Sequence, residues 1–418
     1  MSRALVALGL LSALGSRLSA QRPAESRAPT AESSLQVFVI TIGQGALYFE
    51  KYGHNMLWFY DPSAGIDVAY NWGSFDFAQP GFLRRQLIGD PQYSVETSPS
   101  PSIFQGYSSR DRTIVVQRLN LTPAQKQKAL EYARWNAREE NKFYRYDYYL
   151  DNCSTRVRDV IDLALGGTLK AATSTTRVPL TYKSETSRLL DDMKAIQFGV
   201  NAALGRPADR PLSIWESGFI PMRLRDALRD VRTTDSTGAQ VPLVAEERTV
   251  YESTSHHERA DAPRLWPSYL TVGLLIAAVF FATARAARGS SAVAKAFRFE
   301  VAVWAFATGL LGLILLLGWL ITEHVFWYRN ENLLVFNPLS LFLAVLATLS
   351  IWRPRWTGPA AICAVVVAML AAVAMVSKGL PGSQDNIALI LLTLPVHFAV
   401  AFGLWSGQRH EAHVNNSA

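Results

Sequence analysis

Hydrophobic and polar positions divide this chain into two parts with different rules. From Leu35 to about residue 250, apolar residues come in short runs broken by polar turns. Beyond about residue 265 they come in runs long enough to cross a bilayer. In the first part "VFVITI" predicts a buried strand and "HNMLWFY" a second. After the turn "DPSAGID", the run "VAYNWGSFDF" predicts a third, pairing with the second as an antiparallel hairpin. Farther on, Val157, Val160, Ile161 and Ala164 recur at helical spacing between charges, which predicts a helix starting near Cys153 with that face on the sheet. Asp151 and Asn152 are its N-cap candidates. The expected fold of this part is therefore α+β.

Five runs in the second part are apolar enough to span: approximately Trp266–Ala284, Val301–Ile321, Leu339–Trp352, Pro359–Val376 and Ile387–Trp405, the third extended backwards through "LLVFNP". The basic segments "RAARGSSAVAKAFR" and "RPR" follow the first and third spans, and Arg409 follows the fifth. All three fall on one side of the membrane, which the positive-inside rule makes the cytoplasm. Residues before 266 then face the periplasm. The N-terminal "MSRALVALGLLSALGSRLSAQ" has a basic start, a short apolar stretch and small residues ending at Ala20, the pattern of a secretory signal, and requires the same orientation. The expected organisation is a signal peptide (1–20), a disordered tether (21–34), a periplasmic domain (35–250), a linker (251–264), an all-α bundle of five transmembrane helices (265–406) and a cytoplasmic tail (407–418) in a bacterial inner membrane.

Candidate chemistry centres on a thiol. The chain has two cysteines; Cys363 lies in an apolar span and is out of reach of Cys153, so the periplasmic domain carries a free thiol in an oxidising compartment. At a helix start the dipole and unpaired N–H groups favour the thiolate. The polar neighbours Asp151, Asn152, Ser154, Thr155 and Arg156 argue against an inert buried cysteine. His54 is the candidate base, because His256 and His257 sit in a polar linker. Asn71, Asp76 and Tyr70 lie on the next strand as candidates to orient its imidazole, with Asn71 preferred. Substrate-binding candidates are Tyr52, Tyr146, Asp151, Asn152 and Arg156, the last either a phosphate ligand or an ion-pair partner. The loop "ITEHVFWYRNENLLVFNP" adds Glu323, His324, Asn330 and Asn332 at the membrane surface. The formal charge of +7 comes without a compact basic run in the periplasmic part, which argues against a nucleic-acid partner. No metal-ligand spacing and no phosphate-binding glycine loop is present, so no metal or cofactor is expected.

The blocks "YGHNMLWFYD", "YNWGSFDF", "QRLNLTPAQKQ", "YRYDYYLDNCSTRVRDVI", "ALGRPADRPLSIWESGFIPMRL" and "NENLLVFNPLSL" resemble the Lnb family. The resemblance implies a lipoprotein N-acyltransferase that takes an acyl chain from a phospholipid donor and gives it to a diacylated lipoprotein acceptor. The order of histidine block and then cysteine block also resembles the circularly permuted papain-like enzymes, lecithin:retinol acyltransferase among them. That implies Cys153 as nucleophile and His54 as base, with Asn71 where those enzymes tend to place a histidine. Two other classes fit the same residues: a thiol peptidase or amidase acting on cell-envelope peptides, and a non-catalytic membrane-anchored assembly protein.

Overall fold

The computed structural model describes residues 34–417, with side chains to residue 408; the expected signal peptide and nearly all of the tether fall outside the described residues. The first half forms an antiparallel sheet of seven strands. In chain order these are β1 (Gln36–Ile42), β2 (His54–Asp61), β3 (Ile66–Ser74), β4 (Gln92–Ser98), β5 (Ile114–Leu119), β6 (Phe143–Arg145) and, after a two-stranded ribbon of β7 (Arg232–Thr234) and β8 (Gln240–Pro242), β9 (Val244–Tyr251). Their order across the sheet is β6-β4-β3-β2-β1-β5-β9. The β2–β3 hairpin closes through the "DPSAGID" turn, where Asp61 accepts from the N–H groups of Ser63 and Ala64.

Four helices matter for the site: α1 (Phe82–Ile88), α2 (Ser100–Ser108), α3 (Pro123–Asn136) and α4 (Cys153–Ala164). Strand alternation sends Val37, Val39, Leu57, Phe59 and Trp72 to one face, where α4 covers them with Val157, Val160 and Ile161. Each of these three side chains is essentially fully buried, worth roughly 1.5–3 kcal/mol apiece. The opposite face packs Ile40, Met56, Trp58 and Ala69 against Ile103 of α2. The helix therefore begins at Cys153 and lays the expected face on the sheet.

Five apolar helices follow, long enough to cross a membrane: Trp266–Ala286, Ser291–Ile321, Glu331–Trp352, Pro354–Gly379 and Ile387–Gln408. The second starts ten residues before the apolar run, because "SAVAKAFRFE" continues the helix although it is too polar to register as part of a span. The third opens with a 3-10 turn, Glu331–Leu334, and is α-helical only from Leu339, just after Pro338. Small residues let these helices approach closely. A Cβ at Gly312 would lie 2.3 Å from the Phe336 carbonyl oxygen, and Ala360, Ala361, Ala364 and Ala368 form much of the seam of the fourth helix.

The sheet domain folds back onto this bundle through helix Lys194–Ala203. Its C-terminal carbonyls would be left unpaired, as at any helix end. Here the loop between the second and third spans supplies the donors: Asn330 Nδ2 donates to the carbonyls of Ala202 (2.8 Å) and Ala203 (2.9 Å), and Asn332 Nδ2 to that of Ala202 (2.9 Å). Gln384 Nε2 caps Leu204 in the same way at 2.7 Å.

Candidate active site

Cys153 is the first residue of α4, and the local sequence fixes it there. Asn152 caps the helix, its Oδ1 accepting from the N–H groups of Ser154 and Thr155 at 2.9 Å each, while Thr155 Oγ1 accepts from the Asn152 N–H. The Asn152 amide also donates to the Tyr148 and Phe219 carbonyls, both at 3.0 Å, so the cap is anchored on two sides. Ser154 Oγ donates to the Gly218 carbonyl (2.6 Å) and accepts from Asn55 Nδ2 (3.0 Å). The Asn152, Ser154 and Thr155 side chains beside the thiol are thus buried and internally bonded, and Cys153 itself is buried while still lining a cavity.

His54 is the first residue of β2. It points to the sheet face opposite α4, as does Asn71 of β3. Thiol and imidazole meet at the ends of the strands, and Gly73 makes that possible. Its backbone is left-handed (φ 92°) at a register shift between Trp72 and Ser74, and a Cβ there would lie 3.3 Å from Cys153 Cβ. Asn71 Oδ1 accepts from His54 Nε2 at 2.5 Å, which leaves Nδ1 for the thiol. Tyr107 of α2 stacks on the imidazole at 6.4 Å. Of the other candidate orienting groups, Tyr70 turns into the core and Asp76 caps its own turn through the Ala78 N–H.

The electrostatics favour charge separation. Burial pushes the Cys153 thiol up, but the His54 charge, a hydrogen bond from His54 and the backbone groups of Asn55 and Ser154 outweigh it and hold the thiol below its ordinary range. Burial pushes His54 down, and the Cys153 thiolate with the Asn71 hydrogen bond carries it above its ordinary value. Both shifts run toward a thiolate–imidazolium pair. The rise in alkylation of Cys153 by iodoacetamide with pH is expected to have its midpoint below that of an ordinary thiol. In His54→Ala only the upward push of burial and the two backbone contacts remain, so the rise should move to higher pH; an unmoved profile would show that the imidazole does not control the thiol.

Both groups open into a cavity of about 670 Å³ whose walls are rich in aromatic side chains, among them Tyr48, Phe49, Tyr52, Phe75, Tyr93, Tyr107, Tyr146 and Tyr148. Asn152 lines it too, whereas Asp151 and Arg156 do not; they pair with each other, and Arg156 stacks on Tyr144. The membrane loop contributes Glu323, His324 and Trp327 to the wall. Asn330 and Asn332 are absent from it because their amides hold the docking helix. His324 is committed as well, its Nε2 donating to the Gln86 carbonyl (3.0 Å), and burial holds its pKa below the usual range. Among the described residues no cluster of three or more His, Cys, Asp or Glu side chains is placed to hold a metal ion.

Sequence reasoning passed over Gly73, Tyr107, Trp327 and Arg112. The buried Arg112 guanidinium donates to the Gly43 carbonyl and to Glu50 at the cavity edge. A glycine inside a strand pattern marks close approach of another chain segment, so Gly73 had a usable signal. The others carried none.

Comparison with known families gives two consecutive matches. Residues 25–188 match the Lnb N-terminal periplasmic domain and residues 262–410 the Lnb transmembrane domain. Comparison with curated proteins and with solved structures gives no match.

Proposed function

The chain belongs to the Lnb family, a membrane protein with a periplasmic N-terminal domain, and on that premise we propose that it is a thiol acyltransferase that completes the N-acylation of bacterial lipoproteins. The observation that carries this reading is the composition of one cavity: Cys153 and His54 share it with Glu323, His324 and Trp327 from the loop between two membrane spans. A thiol–imidazole pair walled by a membrane loop suits substrates that stay in the bilayer. A hydrolase of soluble wall peptides has no use for such a wall.

In the first half-reaction the Cys153 thiolate attacks the ester carbonyl carbon of a phospholipid, and the carbonyl oxygen takes up the charge. The Cys153 backbone N–H is the candidate donor to that oxygen, since Asn152 already occupies the next two N–H groups of the helix. The C–O bond breaks, the lysophospholipid alkoxide takes the proton of the His54 imidazolium, and the acyl chain remains on sulfur. In the second, the α-amino group of a diacylated N-terminal cysteine attacks the thioester and gives a proton to His54, and the thiolate leaves as the amide forms. Asn71 keeps the Nε2–H directed away from the thiol throughout. The C-terminus of the chain lies in the cytoplasm in this scheme.

Incubating the protein with a phospholipid labelled in its acyl chain and no acceptor should leave a hydroxylamine-sensitive label on the peptide containing Cys153. Label appearing only as free fatty acid, with none on Cys153 at any time, would contradict the proposal.

A further inference from the structure

The chemistry above leaves one surface feature unused. Leu47, Tyr48 and Phe49 before β2, Phe77 before α1, and Leu83 and Leu87 on α1 are between 42% and 69% exposed. They belong to one patch: Phe49 and Phe77 each stand edge-on to Phe75 at 5.8 and 5.0 Å, and Phe82 of α1 lies 5.3 Å from Phe77. Leu83 and Leu87 are four residues apart and share one side of the helix. Six large apolar side chains exposed together are costly in water and mark a site of contact.

The position of the patch identifies what covers it. The carbonyl of Ile88, at the end of α1, accepts from the Glu323 N–H at 2.7 Å, and that of Gln86 accepts from His324 Nε2. The second span ends at Ile321, where Leu320 and Ile321 are 67% and 70% exposed. Three residues of chain reach at most about 10 Å. So α1 is clamped within that distance of the hydrocarbon edge, the depth at which amphipathic elements bury apolar side chains in a leaflet. Exposed Arg84 sits beside Leu83, as expected of a basic side chain reaching for headgroups. From this patch Tyr48, Phe49 and Leu87 continue inward as walls of the cavity that holds Cys153.

We propose that the turn before β2 and helix α1 are sunk in the outer leaflet and form a side port, flanked by Phe49 and Leu87, through which a lipid acyl chain slides from the bilayer to Cys153. The port rests on the acyl-transfer reading for its cargo, but its seat in the lipid does not. It explains why the apolar patch lies beside the cavity mouth and not elsewhere on the sheet domain.

Two measurements on the full chain test it. In a Cys153→Ser, Cys363→Ser background in nanodiscs, an environment-sensitive fluorophore on Phe77→Cys should be quenched by phosphatidylcholine bearing a nitroxide near the head of its acyl chain. The same fluorophore on Glu246→Cys, exposed near the far edge of the sheet on β9, should not be. Separately, Phe77→Ser with Leu83→Ser should slow labelling of Cys153 from bilayer phospholipid about ten-fold, the factor one apolar side chain's transfer energy supplies. Alkylation of Cys153 by iodoacetamide should stay at the wild-type rate, showing an intact site. An unquenched position 77, a signal that changes with protein concentration as pairing with a second copy would, or undiminished labelling in the double variant would each overturn the port. The quenching arm needs no turnover, so a quenched wild-type-like chain that never acquires label would sink acyl transfer while supporting the seat of the patch.

Discussion

Cys153→Ala is expected to eliminate acyl-enzyme formation, and Cys153→Ser to lower it by at least about a thousand-fold, the scale on which a nucleophile acting with its base is lost. The cause is electrostatic. The pocket favours a thiolate beside a charged imidazole, with backbone groups of Asn55 and Ser154 adding to the effect. A serine hydroxyl at the same place does not ionise near neutrality, so the arrangement stabilises a charge that never forms. His54→Ala should cost a comparable factor, because burial then raises the thiol and no group remains to protonate the leaving alkoxide. Asn71→Ala should slow transfer without stopping it, since the Nε2 contact orients the ring but exchanges no proton with substrate. All four variants should retain wild-type thermal stability in detergent within about 1 kcal/mol, as none removes apolar core. Activity surviving in Cys153→Ala would end the thiol mechanism.

Asn332→Ala is expected to be the most destabilising single change at the junction of the two halves. Its Nδ2 donates to the Asn201 and Ala202 carbonyls and its Oδ1 accepts from Asn386 Nδ2, and the side chain is completely buried. Truncation leaves the Asn201 carbonyl and the Asn386 amide without these bonds, at about 1–3 kcal/mol each before water or relaxation recovers part of it, while Ala202 keeps its bond from Asn330. A loss of roughly 3 kcal/mol should appear as a lowered denaturation midpoint in detergent. The same change should reduce labelling of Cys153, since Glu323, His324 and Trp327 hold the cavity wall from the loop that Asn332 anchors. An unchanged midpoint would show that the amide network adds nothing to docking.

The contrast between Asn332 and Cys153 shows what the sequence made legible. The strand hairpin, the helix starting at Cys153 and the five spans each rest on local patterns: period-two alternation, a capping asparagine before helical spacing, and apolar run length. The pairing of His54 with Asn71 followed because adjacent antiparallel strands share a face. Contacts made by loops were not legible. Glu323, His324, Asn330 and Asn332 stand close together in one polar loop, yet two line the cavity and two hold a helix end, a division set by folding of the sheet domain onto the bundle. Proximity to the thiol left Arg156 open as a phosphate ligand or as the ion-pair partner of Asp151, and the structure pairs it with Asp151.

The mass of lipoprotein N-termini from cells tests the central claim most directly. Cells relying on this protein for N-acylation should carry three acyl chains on the N-terminal cysteine, and cells expressing Cys153→Ala at equal abundance should carry two. Three chains in both would contradict the account, whatever the geometry around the thiol.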